Sequence, residues 1–413
     1  MSISERIAAA VGALLIAGSA LAQPAPAAPA SAAMHHEGHR AAACASPALA
    51  CAHAASAAFD ARGTLWVAWA AAGSVSVARS TDAGGTFGPA SVIDSPGAAL
   101  DAGSDARPQI VVDARGRIVV AYAAFKDKAW NAQVLVATSS DGGASFSAPR
   151  SLSRDAASQR FPVLALRSDG RLFALWIDKR TVAAARRKGV PQAGAALAYA
   201  WSDDGGESFT GERIVQDHSC ECCRLAMAFD TQRHPVVLYR SLFADGERDH
   251  ALLTIPDDGE AKPPSRVAED HWFIDGCPHH GPSVAVSPDG TVHAAWFTQG
   301  QARQGLFQAR STDGGATFSN PQRVGDAAQQ PGRPAVYAQG RAVWLVWKEF
   351  DGQRIFIKER RSADAGQTWS PDRVLAATAN SADHPLLIGD GRRVYLSWLT
   401  RDEGYRLMPL EAP

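Results

Sequence analysis

The sequence predicts an all-β repeat fold, a β-propeller, seven-bladed with a six-bladed ring as the alternative. Three observations point there. One octad recurs five times along the chain. A short apolar strand ending near an aromatic residue recurs seven times. Turn signals separate these segments at even spacing, as short antiparallel strands require. In such repeat architectures each unit buries its apolar face on its neighbours.

The octads are STDAGGTF (residues 80–87), SSDGGASF (139–146), SDDGGESF (202–209), STDGGATF (311–318) and SADAGQTW (362–369). They share the pattern S-x-D-x-G-x-[TS]-[FW]. Asp and Ser bond nearby backbone and Gly tolerates positive φ, so the pattern suits a tight hairpin closed by an aromatic ring. The recurring strands are TLWVAWA from Thr64, RIVVAYA from Arg117, RLFALWI from Arg171, PVVLYRS from Pro235, TVHAAWF from Thr291, AVWLVWK from Ala342 and RVYLSWL from Arg393. Five carry Trp near the end and two carry Tyr. These aromatics are expected to pack between blades. Units four and seven lack a proper octad, which leaves room for the six-bladed alternative.

Upstream of the repeats, residues 1–22 have the form of a secretory signal peptide. Arg6 precedes an apolar run from Ala8 to Ala17, and Ala20-Leu21-Ala22 is a cleavage site. The run is too short to span a bilayer. Residues 23–50 are rich in Ala, Pro and His, include MHHEGH, and are expected to form a flexible leader. Residues 51–413 are assigned to a single propeller domain. The expectation is a monomer in the periplasm or outside the cell. With a net charge of −1 and interspersed acids and bases, the chain is not expected to bind nucleic acid or an anionic membrane.

The octad resembles the Asp-box, or bacterial neuraminidase repeat. That repeat marks the turn between the third and fourth strands of a blade in sialidase-like propellers. The resemblance covers about residues 55 to 410 and implies fold more than function, because many proteins without sialidase activity carry such boxes. It implies that Asp82, Asp141, Asp204, Asp313 and Asp364 are structural turn residues on the outer rim. In propellers that close in the usual way, a strand near Cys44 to Ala54 would complete the last blade beside Tyr405 to Leu410, leaving no free sheet edge.

The first strand of each blade lines the central channel, so the residues leading into it face the channel mouth. These segments start at Cys51, Asp105, Gln159, Cys220, Gly276, Gly332 and Asp383. Two are unusual. Blade four opens with C-E-C-C (Cys220, Cys222, Cys223), and blade five with G-C-P-H-H-G-P (Cys277, His279, His280). The two cysteine motifs lie one blade apart, so their side chains are expected to meet. The motif pair is similar to one in a recurring subgroup of exported bacterial sialidase-like propellers, which implies a shared site but no particular activity.

Three chemistries compete for these sulfurs. Six Cys in an exported chain favour disulfides, with Cys44 joined to Cys51 and two bridges among Cys220, Cys222, Cys223 and Cys277. A metal site is the second: thiolates with imidazoles suit copper, and zinc less well here, because Met34, His35, His36 and His39 of the leader form a copper-capture segment. The third is a strained, oxidising disulfide. The leading expectation is a binding or metal-handling propeller using Cys220, Cys222, Cys223, Cys277, His279 and His280.

The family resemblance implies a second function. Sialidases grip a carboxylate with three arginines, and guanidinium forks match that geometry. Arg107, Arg160 and Arg333 each open a first strand, and Arg160-Phe161-Pro162 echoes a sialidase motif. His384 stands at the same level. Asp178 is the candidate acid and Tyr337 the candidate channel-facing tyrosine. The alternative is therefore an exo-sialidase-type glycoside hydrolase taking a small anionic ligand or glycan. A disulfide-stapled interaction scaffold is the further alternative.

Overall fold

The computed structural model describes residues 46–93, 99–257 and 260–413. The predicted signal peptide, most of the leader and Cys44 lie outside the described residues. Seven antiparallel sheets follow one another along the chain. Their innermost strands are β1 (Ala54–Phe59), β6 (Gln109–Val112), β10 (Gln159–Leu166), β14 (Ala226–Phe229), β18 (Ser283–Val286), β22 (Gly332–Gln339) and β26 (Leu386–Gly389). Each touches the next, and β26 touches β1, so the ring closes with seven blades. Among the described residues no helix is long and apolar enough to cross a membrane.

All seven predicted second strands form: β2 (Leu65–Ala71), β7 (Ile118–Phe125), β11 (Leu172–Asp178), β15 (Pro235–Arg240), β19 (Val292–Gln299), β23 (Ala342–Phe350) and β27 (Val394–Thr400). Their aromatics Trp69, Tyr122, Trp176, Tyr239, Trp296, Trp347 and Trp398 are fully or almost fully buried. A buried indole N–H needs an acceptor. Trp176 donates to Asp178 (2.9 Å), Trp296 to Asp270 (2.8 Å) and Trp347 to Glu349 (2.6 Å). The acids therefore follow from the tryptophans.

The octads form the turns expected of Asp-boxes. In the first, the Ser80 hydroxyl donates to Asp82 (2.7 Å) while Asp82 accepts from the Thr86 N–H (2.8 Å) and hydroxyl (2.7 Å). The other four repeat this pattern. The fifth residue is glycine because the turn sits on the preceding blade. A Cβ on Gly206, at φ 86°, would lie 2.8 Å from a Val119 methyl.

Closure differs from expectation. Among the described residues the seventh sheet has three strands, ending in β28 (Gly404–Pro409). In place of a fourth, Leu49–Cys51 forms a 3-10 turn against β28. The Pro47 carbonyl accepts from the Trp69 indole (2.8 Å), which ties the segment to blade one as well as to β28. Cys51 is disulfide-bonded; its predicted partner Cys44 lies outside the described residues.

Candidate functional site

The channel mouth is built from the residues that lead into the first strands. Five blades place a proline there, preceded by Arg107, Phe161, Gly281, Arg333 and His384. Arg224 holds the same place in blade four, before Leu225. A cavity of about 190 Å³ opens among blades two to seven, lined by Asp105, Arg107, Phe161, Arg224 and Pro334 among others. Blade two supplies its acid by a break in the sheet. Strands β5 (Ala99–Asp101) and β6 both pair with β7, and residues 102–108 between them leave the sheet. This excursion carries Asp105 to the centre.

Asp105 lies 3.3 Å from Arg333, 3.4 Å from Arg224 and 3.5 Å from His384. Burial opposes its charge. The hydrogen bond to His384 and the charges of Arg333 and Arg224 outweigh burial and hold the carboxyl far below the usual range. Burial lowers Arg224 to about 10 and Lys348 to about 8. Arg107, Arg224, Arg333 and Lys348 thus face two carboxylates, Asp105 and Asp383, and the mouth carries surplus positive charge. Gly281 makes room for Arg224: a Cβ there would lie 2.0 Å from the Arg224 Cγ. Phe161 and Arg333, each before a proline, adopt left-handed φ values of 54° and 57°. Such strain costs about 1–3 kcal/mol per residue and accumulates at functional sites.

The predicted arginine arc is therefore redistributed. Arg333 and His384 reach the mouth. Arg107 is buried and committed: it bonds Asp383 (2.9 Å) and the carbonyls of Ser104 and Ala55, tying blade two to blades one and seven. Arg160 forms a fork with Asp101 (2.6 and 2.8 Å) and stacks on Phe125 and Phe161, outside the cavity wall. Asp178 is fully buried and held by Arg180 and the Trp176 indole, so it is a packing acid. Tyr337 lies further down β22 against Gly389, whose Cβ would fall 2.3 Å from its hydroxyl. It is absent from the cavity wall.

Beside this ring, the cysteine motifs meet as expected. Cys220 Sγ is 3.3 Å from Cys223 Sγ and 3.7 Å from Cys222 Sγ. Cys222, Cys277 and His279 form a second group, with ligand atoms all within 4.8 Å of one another. All four cysteines are free thiols, three buried and Cys277 exposed, so the bridges of the disulfide alternative are not formed here. Hydrogen bonds from Cys222 and Cys223 hold Cys220 well below the usual thiol range. The same contact with Cys220 pushes Cys222 up strongly, and Cys223 to about 12. The contact with Cys222 lowers Cys277 to about 7, against burial. Arg248 spans the motifs, 3.9 Å from Cys220 Sγ and 3.0 Å from the Gly276 carbonyl.

His280 does not join the sulfurs. His279 adopts a left-handed φ of 50°, which turns the two side chains apart. His280 stacks on Phe297 at 3.9 Å, and its carbonyl accepts from Arg240. Sequence reasoning missed Arg224, Asp105, Lys348 and Arg248. Blade four has Leu225 where most blades have proline, so no proline marks Arg224 in the sequence.

Seven closed blades with Asp-box turns make this a sialidase-like propeller in fold. No family model matches the chain, and no curated protein matches it. The fold is shared with solved carbohydrate-active enzymes at low identity. An ulvan lyase of the polysaccharide lyase family PL25 superposes with a TM-score of 0.61 at 12% identity, covering 86% of this chain and 92% of that one. The polysaccharide lyase Uly1 gives 0.53 at 8% identity, covering 87% and 88%. A leech intramolecular trans-sialidase gives 0.49 at 14% identity, covering 85% and 82%.

Proposed function

We propose that this is an exported soft-metal-binding propeller, with Cu(I) as the ion, held by the cysteine cluster between blades four and five. One observation carries the reading: three buried sulfurs converge at 3.3–3.7 Å, beside a fourth sulfur and an imidazole. With a metal–sulfur bond of about 2.3 Å, two thiolates on one ion stand roughly 3.8–4 Å apart, so small shifts close the set on a metal. Thiolate ligands without a carboxylate select Cu(I) over hard ions. Guanidiniums of Arg248, Arg240 and Arg160 favour the thiolate charge. The MHHEGH leader, outside the described residues, fits as a capture segment.

The test is Cu(I) titration of the reduced full-length chain against a chromophoric chelator. Wild type is expected to take copper from the chelator and the Cys222→Ser/Cys277→Ser variant to fail. Equal affinity in the two proteins would refute the proposal.

A second reading rests on the surplus positive charge of the mouth, which favours an anionic sugar. One of the lyases with this fold is described bound to -[GlcA(1-4)Rha3S]-. Here the ligand would be an acidic glycan unit held by Arg224 and Arg333. A sialidase-type hydrolase is the enzymatic form of this reading. No tyrosine is among the described residues lining the cavity, so binding has the better support. Turnover of a fluorogenic sialoside, lost in Arg333→Ala, would establish the hydrolase; thermal stabilisation by glucuronate without turnover would establish binding alone.

A further inference from the structure

We infer that the cluster holds two ions bridged by Cys222, with an exposed outer triad that loads a buried inner one. This rests on the metal reading above and deepens it.

The ligand atoms fall into two triads sharing one residue. The inner triad is Cys220, Cys222 and Cys223; the outer is Cys222, Cys277 and His279. Three thiolates satisfy one Cu(I) ion and leave Cys277 and His279 in place beside it. A thiolate sulfur has lone pairs for two metals, and Cys222 is the sulfur within reach of both sets. A single ion would leave ligands unused or require the whole group to collapse.

Burial separates the two roles. The inner sulfurs are 1%, 3% and 1% exposed. Cys277 is exposed and His279 half-buried. A donor can therefore reach the outer triad directly, and the inner one only through it. The triads also differ in origin. The inner comes from one loop of blade four, while the outer joins that loop to the G-C-P-H-H-G-P segment of blade five.

Charge points the same way. Four thiolates around one Cu(I) leave a net charge of −3, and a second Cu(I) reduces it to −2. Buried net charge costs several kcal/mol per ion unless compensated. Arg248 lies against Cys220, Arg240 adds its field there, and Arg160 acts on Cys222 and Cys277.

Transfer needs ligand exchange and no redox step. Copper enters as Cu(I) on Cys222, Cys277 and His279, and the thiols release their protons to solvent on binding. Cys220 and Cys223 then replace Cys277 and His279 as ligands, their thiol protons passing to the released Cys277 thiolate and to solvent. Cys222 stays bound throughout, so the ion is never released. The vacated outer ligands take a second Cu(I).

The experiment is anaerobic titration of the full chain with Cu(I)–bicinchoninate, reading stoichiometry and loading rate. Cys277→Ser and His279→Ala are compared with wild type, with thermal unfolding as the check on fold. Wild type is expected to bind two ions. Each variant is expected to bind one, loaded at least about tenfold more slowly. One ion in wild type, with rate and stoichiometry unchanged in both variants, would overturn the bridged relay and leave the metal reading standing. No copper uptake by wild type would remove both.

Discussion

Replacing Asp105 with asparagine keeps the side-chain volume but removes the carboxylate that offsets the mouth's cations. The carboxylate stands 3.3–3.4 Å from two guanidiniums, and its side chain is 15% exposed. At an effective dielectric of about 20, each contact is worth roughly 5 kcal/mol before desolvation, and desolvation cancels much of this. Removing one partner of a buried pair costs about 3–5 kcal/mol. Asparagine still accepts hydrogen bonds and the site has some solvent, so about 3 kcal/mol is expected for Asp105→Asn. With a urea dependence near 3 kcal/mol/M, the midpoint falls by about 1 M. An anion that restores negative charge beside Arg224 and Arg333 should recover stability, and at a hundredfold excess over its Kd it adds about 2.7 kcal/mol. Glucuronate should therefore stabilise Asp105→Asn more than wild type, where Asp105 competes for the same two guanidiniums. Asp372→Asn, which breaks an exposed pair with Arg360, is the control and should cost under about 1 kcal/mol. A loss in Asp105→Asn no larger than in the control, or equal rescue of both, would refute the view that Asp105 occupies an anion site.

Two further outcomes are expected. Gly206→Ala should lose about 2–4 kcal/mol in urea unfolding, because a Cβ there meets Val119 at 2.8 Å and the φ of 86° disfavours any L side chain. Stability should also fall with acid below about pH 6.5. His250 and His384 are buried, and burial, chiefly, pushes both well below the ordinary value of 6.5. The unfolded chain takes up these protons first, so the stabilisation is complete above pH 6.5 and is lost as pH falls toward the folded values. Each imidazole adds about 1.4 kcal/mol per pH unit to the slope. His250→Leu, at a ring whose nitrogens have no hydrogen-bond partner among the described residues, should remove one proton from that slope in urea midpoints taken from pH 7.5 to 5.5.

The blades were legible because each repeats a local rule. An octad that bonds itself and a strand that ends in a buried aromatic need no distant information. The meeting of Cys220–Cys223 with Cys277 was also legible, since one blade of separation places equivalent positions side by side. What escaped were features set by neighbouring backbone. Asp178 looks like a free acid until the Trp176 indole beside it is seen to need an acceptor. Arg107 and Arg160 look like ligand arginines until Asp383 and Asp101 arrive from residues 276 and 59 positions away. Asp105 reaches the centre only because residues 102–108 leave the sheet, and no periodicity marks that break. The orientations of His279 and His280 turn on one positive φ.

The same register explains why charge and sulfur sit side by side without mixing. The cysteine loop and the blade-five lead-in both lie outside the strands, just before β14 and β18. Arg224 and Gly281 hold the same place in the lead-ins of blades four and five. Two residues earlier in each stand Cys222 and His279, and two before His279 stands Cys277. The outer triad is thus built from the lead-in segments of two neighbouring blades. Gly281 is the hinge of this arrangement: its missing side chain lets Arg224 enter the ring, and the same close approach draws the cysteine loop onto the segment carrying Cys277. Arg224 bonds Asp105 and the Pro334 carbonyl, and it directly follows Cys223. The two sites are joined by the single peptide bond between Cys223 and Arg224.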